Sequence, residues 1–158
     1  MIKLLAIGKQ KEKAMRQLTD EYVKRLQAFT KIEIIEAADE NAPQSLSVLQ
    51  MEQIKDKEGQ RLLHHIKDSD YVILLDLAGV MLTSEKLSQK IDQLQTYSAG
   101  NIVFIIGGSL GVSKALIERA NFRWKLSDLT FPHQLVRVLL AEQLYRAFTI
   151  LHHQPYHK

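Results

Sequence analysis

Five residues, Gly107-Gly108-Ser109-Leu110-Gly111, carry the densest chemical signal in the chain. Three glycines in so short a stretch let backbone amides approach a ligand with no Cβ in the way. The run lacks the Gly-x-Gly-x-x-Gly of a dinucleotide fingerprint, and no Gly-Lys-Ser/Thr follows at Walker A spacing. It does match Gly-x-Ser-x-Gly, with Ser109 between a strand and a helix as a nucleophile elbow would be. Asp128 and then His133, His152, His153 or His157 follow in the chain order of a hydrolase triad. Against that reading, nothing resembles the His-Gly-Gly-Gly oxyanion loop, and 158 residues are few for the hydrolase architecture. A tight turn without chemistry, a ligand cradle and a serine nucleophile all stay open at this point.

The histidines suggest a second chemistry. His152, His153 and His157 cluster near the C-terminus, and imidazole is the commonest metal ligand. A closed zinc site needs about four ligands held rigidly. Here two are adjacent on a helix end and the third lies beyond Pro155. We therefore expect no metal site, only a tail that picks up nickel or zinc adventitiously. His64 and His65 read as helix surface, and Trp124, the single tryptophan, as packing. The chain has no cysteine, which removes disulfides, thiolate metal sites and cysteine nucleophiles together.

These residues must be positioned by elements, and short β-rich runs alternate with helical patterns along the chain. Ile2–Ile7 reads as a strand closed by Gly8. Lys11–Phe29 places Met15, Leu18, Tyr22, Leu26 and Phe29 at helical spacing. Lys31–Glu36 is a second strand, and Ser45 is the expected cap of a helix over Ser45–Ile66. Tyr71–Asp76 and Asn101–Ile106 are continuous apolar runs, the pattern of strands buried on both faces of a parallel sheet. Between them a helix opens at Ser84 and Glu85 and reaches Tyr97. A short helix from Ser113, a segment at Phe122–Leu126 and a last helix over His133–Leu151 complete the chain. The β-α-β-α order predicts an α/β domain, a parallel-type sheet with helices on both faces, spanning residues 1–158 as one unit. Three loops leave the carboxyl edge, where such sheets bind ligands: Asp76–Gly79, Gly107–Gly111 and Ser127–Pro132.

Composition narrows the class further. Hydrophobic residues make up 46% and charged residues 25%, an ordinary globular balance that excludes a disordered chain. No apolar run is long enough to span a bilayer, and the N-terminus is a poor signal peptide; the expectation is a cytoplasmic protein. The net charge of +3 hides an asymmetry: residues 1–32 and 101–158 are basic, and residues 33–60 are acidic. Two basic ends that meet in space would make one face suited to a polyanion. The last helix is apolar over more than half its circumference, more than one sheet face requires. That predicts a homodimer with this helix at the interface.

The motifs taken together resemble the ribosomal RNA large-subunit methyltransferase H family, within the SPOUT superfamily of knotted methyltransferases. The resemblance runs through the Lys9 region, Asp56-Lys57-Glu58-Gly59 and Ile105-Ile106-Gly107-Gly108-x-x-Gly111. It is most specific at Thr130-Phe131-Pro132-His133-Gln134-Leu135-Val136-Arg137-Val138 and Glu142-Gln143-Leu144-Tyr145-Arg146-Ala147, and it ends on Pro155-Tyr156-His157-Lys158. It implies a C-terminal trefoil knot, a homodimer, and S-adenosylmethionine as methyl donor. The implied reaction is methylation of N3 of a pseudouridine, position 1915 of 23S ribosomal RNA, on the assembled 70S ribosome. By position, Leu75, Gly107, Leu126, Ser127, Asp128, Leu129, Thr130 and Phe131 are implied to hold the cofactor. Leu75, Leu126, Leu129 and Phe131 would supply apolar walls, and the loop backbone would read the adenine edge.

The chemistry asks for in-line alignment of a sulfonium methyl with a nitrogen lone pair, and for somewhere to put the imide proton. We expect His157 as the base, because imidazole titrates near neutrality. Tyr156 would stack on or bond the target base, and Lys158 would stabilise the developing anion or a phosphate. Arg137, Arg146 and Lys158 from the last segment, with Lys9, Lys11, Lys13 and Arg16 from the first, are the residues expected to track RNA phosphates.

Overall fold

The computed structural model describes residues 1–158. Ten elements alternate: β1 (Ile2–Ile7), α1 (Lys13–Leu26), β2 (Ile32–Ala37), α2 (Val48–Leu63), β3 (Tyr71–Met81), α3 (Ser84–Tyr97), β4 (Ile102–Ile106), α4 (Lys114–Arg119), β5 (Phe122–Lys125) and α5 (His133–Leu151). The strands form one sheet in the order β2-β1-β4-β3-β5, and every pair is parallel.

Side-chain alternation along the strands sorts two cores. Ile2, Leu4, Ala6, Ile73, Ile102, Phe104 and Ile106 face one way and meet Leu26 of α1, Leu87 and Ile91 of α3, and Leu140, Leu144 and Phe148 of α5. Leu5, Ile7, Val72, Leu74, Val103 and Ile105 face the other way and meet Leu62 of α2 and Leu116 of α4. Central strands buried on both faces explain why their sequences are continuous apolar runs.

Several expectations need correction. The cap of α2 is Ser47, not Ser45: its hydroxyl accepts the Gln50 N–H while the Gln50 side chain accepts the Ser47 N–H, a reciprocal capping box. Leu18, expected on the buried stripe of α1, is 48% exposed, and Thr19 takes the inward position. β3 does not end at Asp76 but continues to Met81; Leu75 and Val80 both pair with Trp124, so residues 76–79 form an excursion inside the strand. Gly79 permits that return, since a Cβ there would stand 2.6 Å from the Arg123 carbonyl carbon.

The width of the apolar surface on α5 also has an answer inside the chain. α1 and α3 flank this helix while its base lies on the sheet, so Val138, Leu140, Ala141, Leu144, Ala147 and Phe148 are buried without a second copy. The breadth of that surface therefore does not by itself demand a dimer.

Candidate active site

The carboxyl ends of β4, β3 and β5 lie side by side, and the loops leaving them enclose a cavity of about 350 Å³. Its walls include Leu75, Asp76, Leu77, Gly107, Gly108, Ser109, Trp124, Leu126, Ser127, Leu129, Thr130, Phe131, His133 and Val136. The volume falls in the range of small-molecule sites, and the lining mixes apolar walls with a few polar groups. Of the eight residues expected to hold a cofactor, seven line it. Asp128 does not; its carboxylate turns outward to Lys125 Nζ at 2.5 Å.

Each wall has a local cause. In the β3 excursion, Asp76 Oδ1 accepts the Ala78 N–H at 3.0 Å while Oδ2 accepts Arg123 Nε at 2.5 Å, so the carboxylate braces the loop against β5. In the glycine loop, the Gly111 N–H donates to the Gly108 carbonyl at 3.1 Å, and Gly111 holds φ +98°. A Cβ on Gly107 would stand 2.6 Å from Val112 Cγ1, so only glycine leaves this wall unstrained. In the third loop, Ser127 Oγ accepts the Leu129 N–H at 3.0 Å. Residues 126–131 enter no backbone–backbone hydrogen bond, which leaves most of their amides and carbonyls open to a ligand.

Trp124 combines two roles. It is 3% exposed and packs edge-on to Phe104 with ring centroids 6.2 Å apart, which is the packing expected of it. It also lines the cavity, and its buried indole N–H has no partner in the chain. Sequence reasoning placed Asp76 in a strand-end loop and His133 among the triad candidates, and missed Trp124 and Val136 as cavity residues. For Trp124 the available signal was its place one residue before the Lys125 strand end.

The serine triad is not assembled. Ser109 occupies the corner of the Gly108–Gly111 turn, without the positive φ of a strained elbow. No histidine bonds to it, and Asp128 is engaged by Lys125. No group of three or more metal-ligating side chains is present either.

The C-terminal tail lies elsewhere. Tyr156 donates to Glu142 Oε1 at 3.1 Å and packs edge-on to Tyr145, with the Arg146 guanidinium 4.8 Å from its ring centre. Burial, first, and the neighbouring Tyr22 and Glu142 push its phenol well above the usual tyrosine range, so it stays protonated. His157 Nδ1 lies 3.1 Å from Arg146 Nη1, and Nε2 lies 2.8 Å from Glu85 Oε1. Arginine only donates, so Nδ1 accepts and the proton sits on Nε2, aimed at Glu85. Glu142 and Arg146 stand about 14–20 Å along α5 from His133 at the cavity rim, by the 1.5 Å rise per residue. Neither Tyr156, His157 nor Lys158 lines the cavity of its own chain.

Arg137 is not where a phosphate-binding residue would be. It is 5% exposed, pairs with Glu36 Oε2 at 2.5 Å, and donates to the carbonyls of Ile7 at 3.0 Å and Gly8 at 2.6 Å. Its task is to tie α5 to the ends of β1 and β2.

Comparison with known proteins decides the family. The family model described as predicted SPOUT methyltransferase matches residues 1–157. The chain belongs to the SPOUT methyltransferase family. A SPOUT chain implies a methyl donor, and the strand-end cavity with its free loop backbone is the place in this fold that fits one. Close relatives are named ribosomal RNA large subunit methyltransferase H. This SPOUT chain is 52% identical to that of Bacillus pumilus, 52% to that of Ruminiclostridium cellulolyticum and 48% to that of Enterococcus faecalis. Each match covers 157 residues, 99% of both chains. No helix is long and apolar enough to cross a membrane.

Proposed function

We propose that this chain methylates N3 of pseudouridine 1915 in 23S ribosomal RNA on the assembled 70S ribosome, using S-adenosylmethionine, as a cytoplasmic homodimer. Residues 1–158 act as one unit, and the C-terminal trefoil knot belongs to the same reading. The observation that carries it is the strand-end cavity walled by Leu75, Gly107 and the 126–131 loop, in a chain about half identical to named ribosomal RNA methyltransferases over its full length. S-adenosylmethionine, when bound, supplies an electrophilic sulfonium methyl.

The chain's own residues do the rest. Leu75, Leu126, Leu129 and Phe131 enclose an adenosyl group and exclude water. The amides and carbonyls of 126–131 read a purine edge, and Ser127 and Thr130 close the mouth. Gly107 lets the wall come within contact distance. Methylation at N3 would require the target imide to give up its N3 proton. His157 is the group we assign to take it, with Tyr156 bonding or stacking on the base and Lys158 balancing the charge.

That assignment has a structural consequence. His157 does not line the cavity of its own chain, so the tail serves the cavity of a partner subunit, and the partner's His157 serves this one. The dimer is then a catalytic requirement rather than a packing one. Nδ1, which carries the lone pair, must also leave Arg146 before it accepts a proton. Phosphate binding falls to Lys158 and to exposed Lys9, Lys11 and Lys13.

The test is transfer of labelled methyl from S-adenosylmethionine to 70S ribosomes that carry an unmethylated target pseudouridine. Labelling confined to that nucleotide is expected. Binding of the cofactor without transfer to any ribosomal particle would overturn the substrate, and no binding at millimolar cofactor would overturn the activity.

A further inference from the structure

One buried carboxylate joins the glycine loop to a part of the fold that never reaches the cavity. Glu58, in α2, is 5% exposed. Its Oε2 accepts the backbone N–H of Glu40, in the loop between β2 and α2, at 3.1 Å. Its other oxygen faces the back of the glycine loop and leaves no room for a side chain there: a methyl placed on Gly108 would stand 2.8 Å from Oε1 and 3.1 Å from Ile7 Cγ2. Gly108 is itself buried and lines the cavity on its other side. The loop is therefore held between ligand space in front and Glu58 behind.

Burial disfavours the Glu58 charge and raises its pKa, and Asp39 and Glu40 add to that; the Glu40 N–H and Arg61 oppose it. Arg61 is already committed to the Glu40 carboxylate and to the Ala38 carbonyl at 2.7 Å. A costly ionisable group kept against a ligand loop is a functional candidate when geometry supports it, and here the geometry is a brace.

We propose that Glu58 is a positioning residue for the cofactor: it fixes Gly108 against the β2–α2 loop and so sets where Gly107 and Ser109 meet the methyl donor. This rests on the reading of the cavity as the donor site, but not on the identity of the RNA target.

The test compares Glu58→Ala, Glu58→Gln and Glu58→Leu, each alone and with Gly108→Ala, by calorimetric titration with S-adenosylmethionine and by amide hydrogen exchange of residues 107–112 in the ligand-free protein. Glu58→Ala is expected to weaken cofactor binding about tenfold, the scale of lost support behind a ligand group. Glu58→Gln restores binding, because its amide oxygen still accepts the Glu40 N–H. Glu58→Leu keeps the volume and loses the acceptor, so it stays weak; it serves also if the alanine variant does not fold. Gly108→Ala is expected to cost less beside Glu58→Ala than alone, since the atom it would strike is gone. Faster exchange confined to 107–112 is expected in Glu58→Ala and Glu58→Leu. Additive losses, parental affinity in Glu58→Leu, or unchanged exchange would each overturn the proposal. A parent that binds no cofactor would instead defeat the functional reading, while the exchange comparison still decides the brace.

Discussion

His157 Nε2 stands 2.8 Å from Glu85 Oε1, which fastens the end of the chain to the first turn of α3. The hydrogen bond from His157 is the main reason the Glu85 carboxyl lies below the usual glutamate range. A depressed folded-state value means the contact is intact above the ordinary carboxylate range and fades as pH falls through the lowered value. Carbon-detected NMR titration should find Glu85 below the usual glutamate range, and His157→Ala should raise it, leaving only what the backbone and Thr83 contribute. An unmoved Glu85 in that variant would show that the tail does not dock there.

If the tail serves the partner's cavity, two inactive variants can repair each other. Gly107→Val blocks the cavity wall and His157→Ala removes the base, and neither should transfer methyl alone. Mixed and re-equilibrated, half of the dimers are hybrids with one intact composite site, so about a quarter of parental activity returns. No recovery, with hybrid dimers demonstrated by mass spectrometry, would place the tail in its own chain's site or out of the reaction.

Arg137 is expected to behave as a strut and not as an RNA contact. Arg137→Met leaves Glu36 with only the Gln10 N–H and the longer Arg16 contact at 3.8 Å, and losing a charge-assisted bond costs about 1.5–3 kcal/mol. Urea unfolding should show that loss, whereas Lys158→Ala should leave stability within about 0.5 kcal/mol. The salt dependence of ribosome binding should weaken for Lys158→Ala. A stable Arg137→Met protein with a reduced salt slope would reverse the two assignments.

Trp124 offers a direct reading of the cavity. It is the chain's one tryptophan, and it lines the space assigned to the methyl donor with its indole N–H unpaired. Saturable change in tryptophan emission on adding S-adenosylmethionine is expected, with the same midpoint as calorimetry. Trp124→Phe removes a buried unpaired donor, a burden of about 1–3 kcal/mol, against the packing lost with the larger ring. Its stability should therefore fall by less than a usual core truncation. Emission indifferent to cofactor at saturation would move the donor away from β5.

The parts of this fold written in local chemistry were legible. α5 begins after Pro132 and ends before His152 as read, because its start and stop signals lie in the sequence itself. The strands Ile2–Ile7 and Ile102–Ile106 announce themselves by unbroken apolar runs, and seven of the eight residues expected to hold a cofactor line one cavity. What escaped depends on distant partners. Arg137 reads as a cation on a helix, and only Glu36, 101 residues away, turns it into an internal tie. Asp76-Leu77-Ala78-Gly79 reads as the end of a strand, since nothing local says that Val80 will find Trp124 again. The α2 cap is written locally too: Ser47 has Gln50 three residues on, as a capping box requires, and Ser45 has Val48. The separation of the tail from its own cavity is set by tertiary contacts with Glu142, Arg146 and Glu85, which no local pattern encodes.

The excursion in β3 leaves the sheet on Leu75 and rejoins it on Val80 against the same residue, Trp124. Its two ends are thus anchored at one point, and the strand pairing does not depend on how much chain lies between them. Leu77 and Ala78 at its tip are exposed, and Leu77 faces the cavity. Leu77 and Ala78 stand free at the tip, while Asp76 and Gly79 hold the excursion to Arg123 on either side of them. The molecule carries an adjustable flange beside a fixed frame, a place where the fit to a bulky substrate can be retuned while the machinery behind it stays as it is.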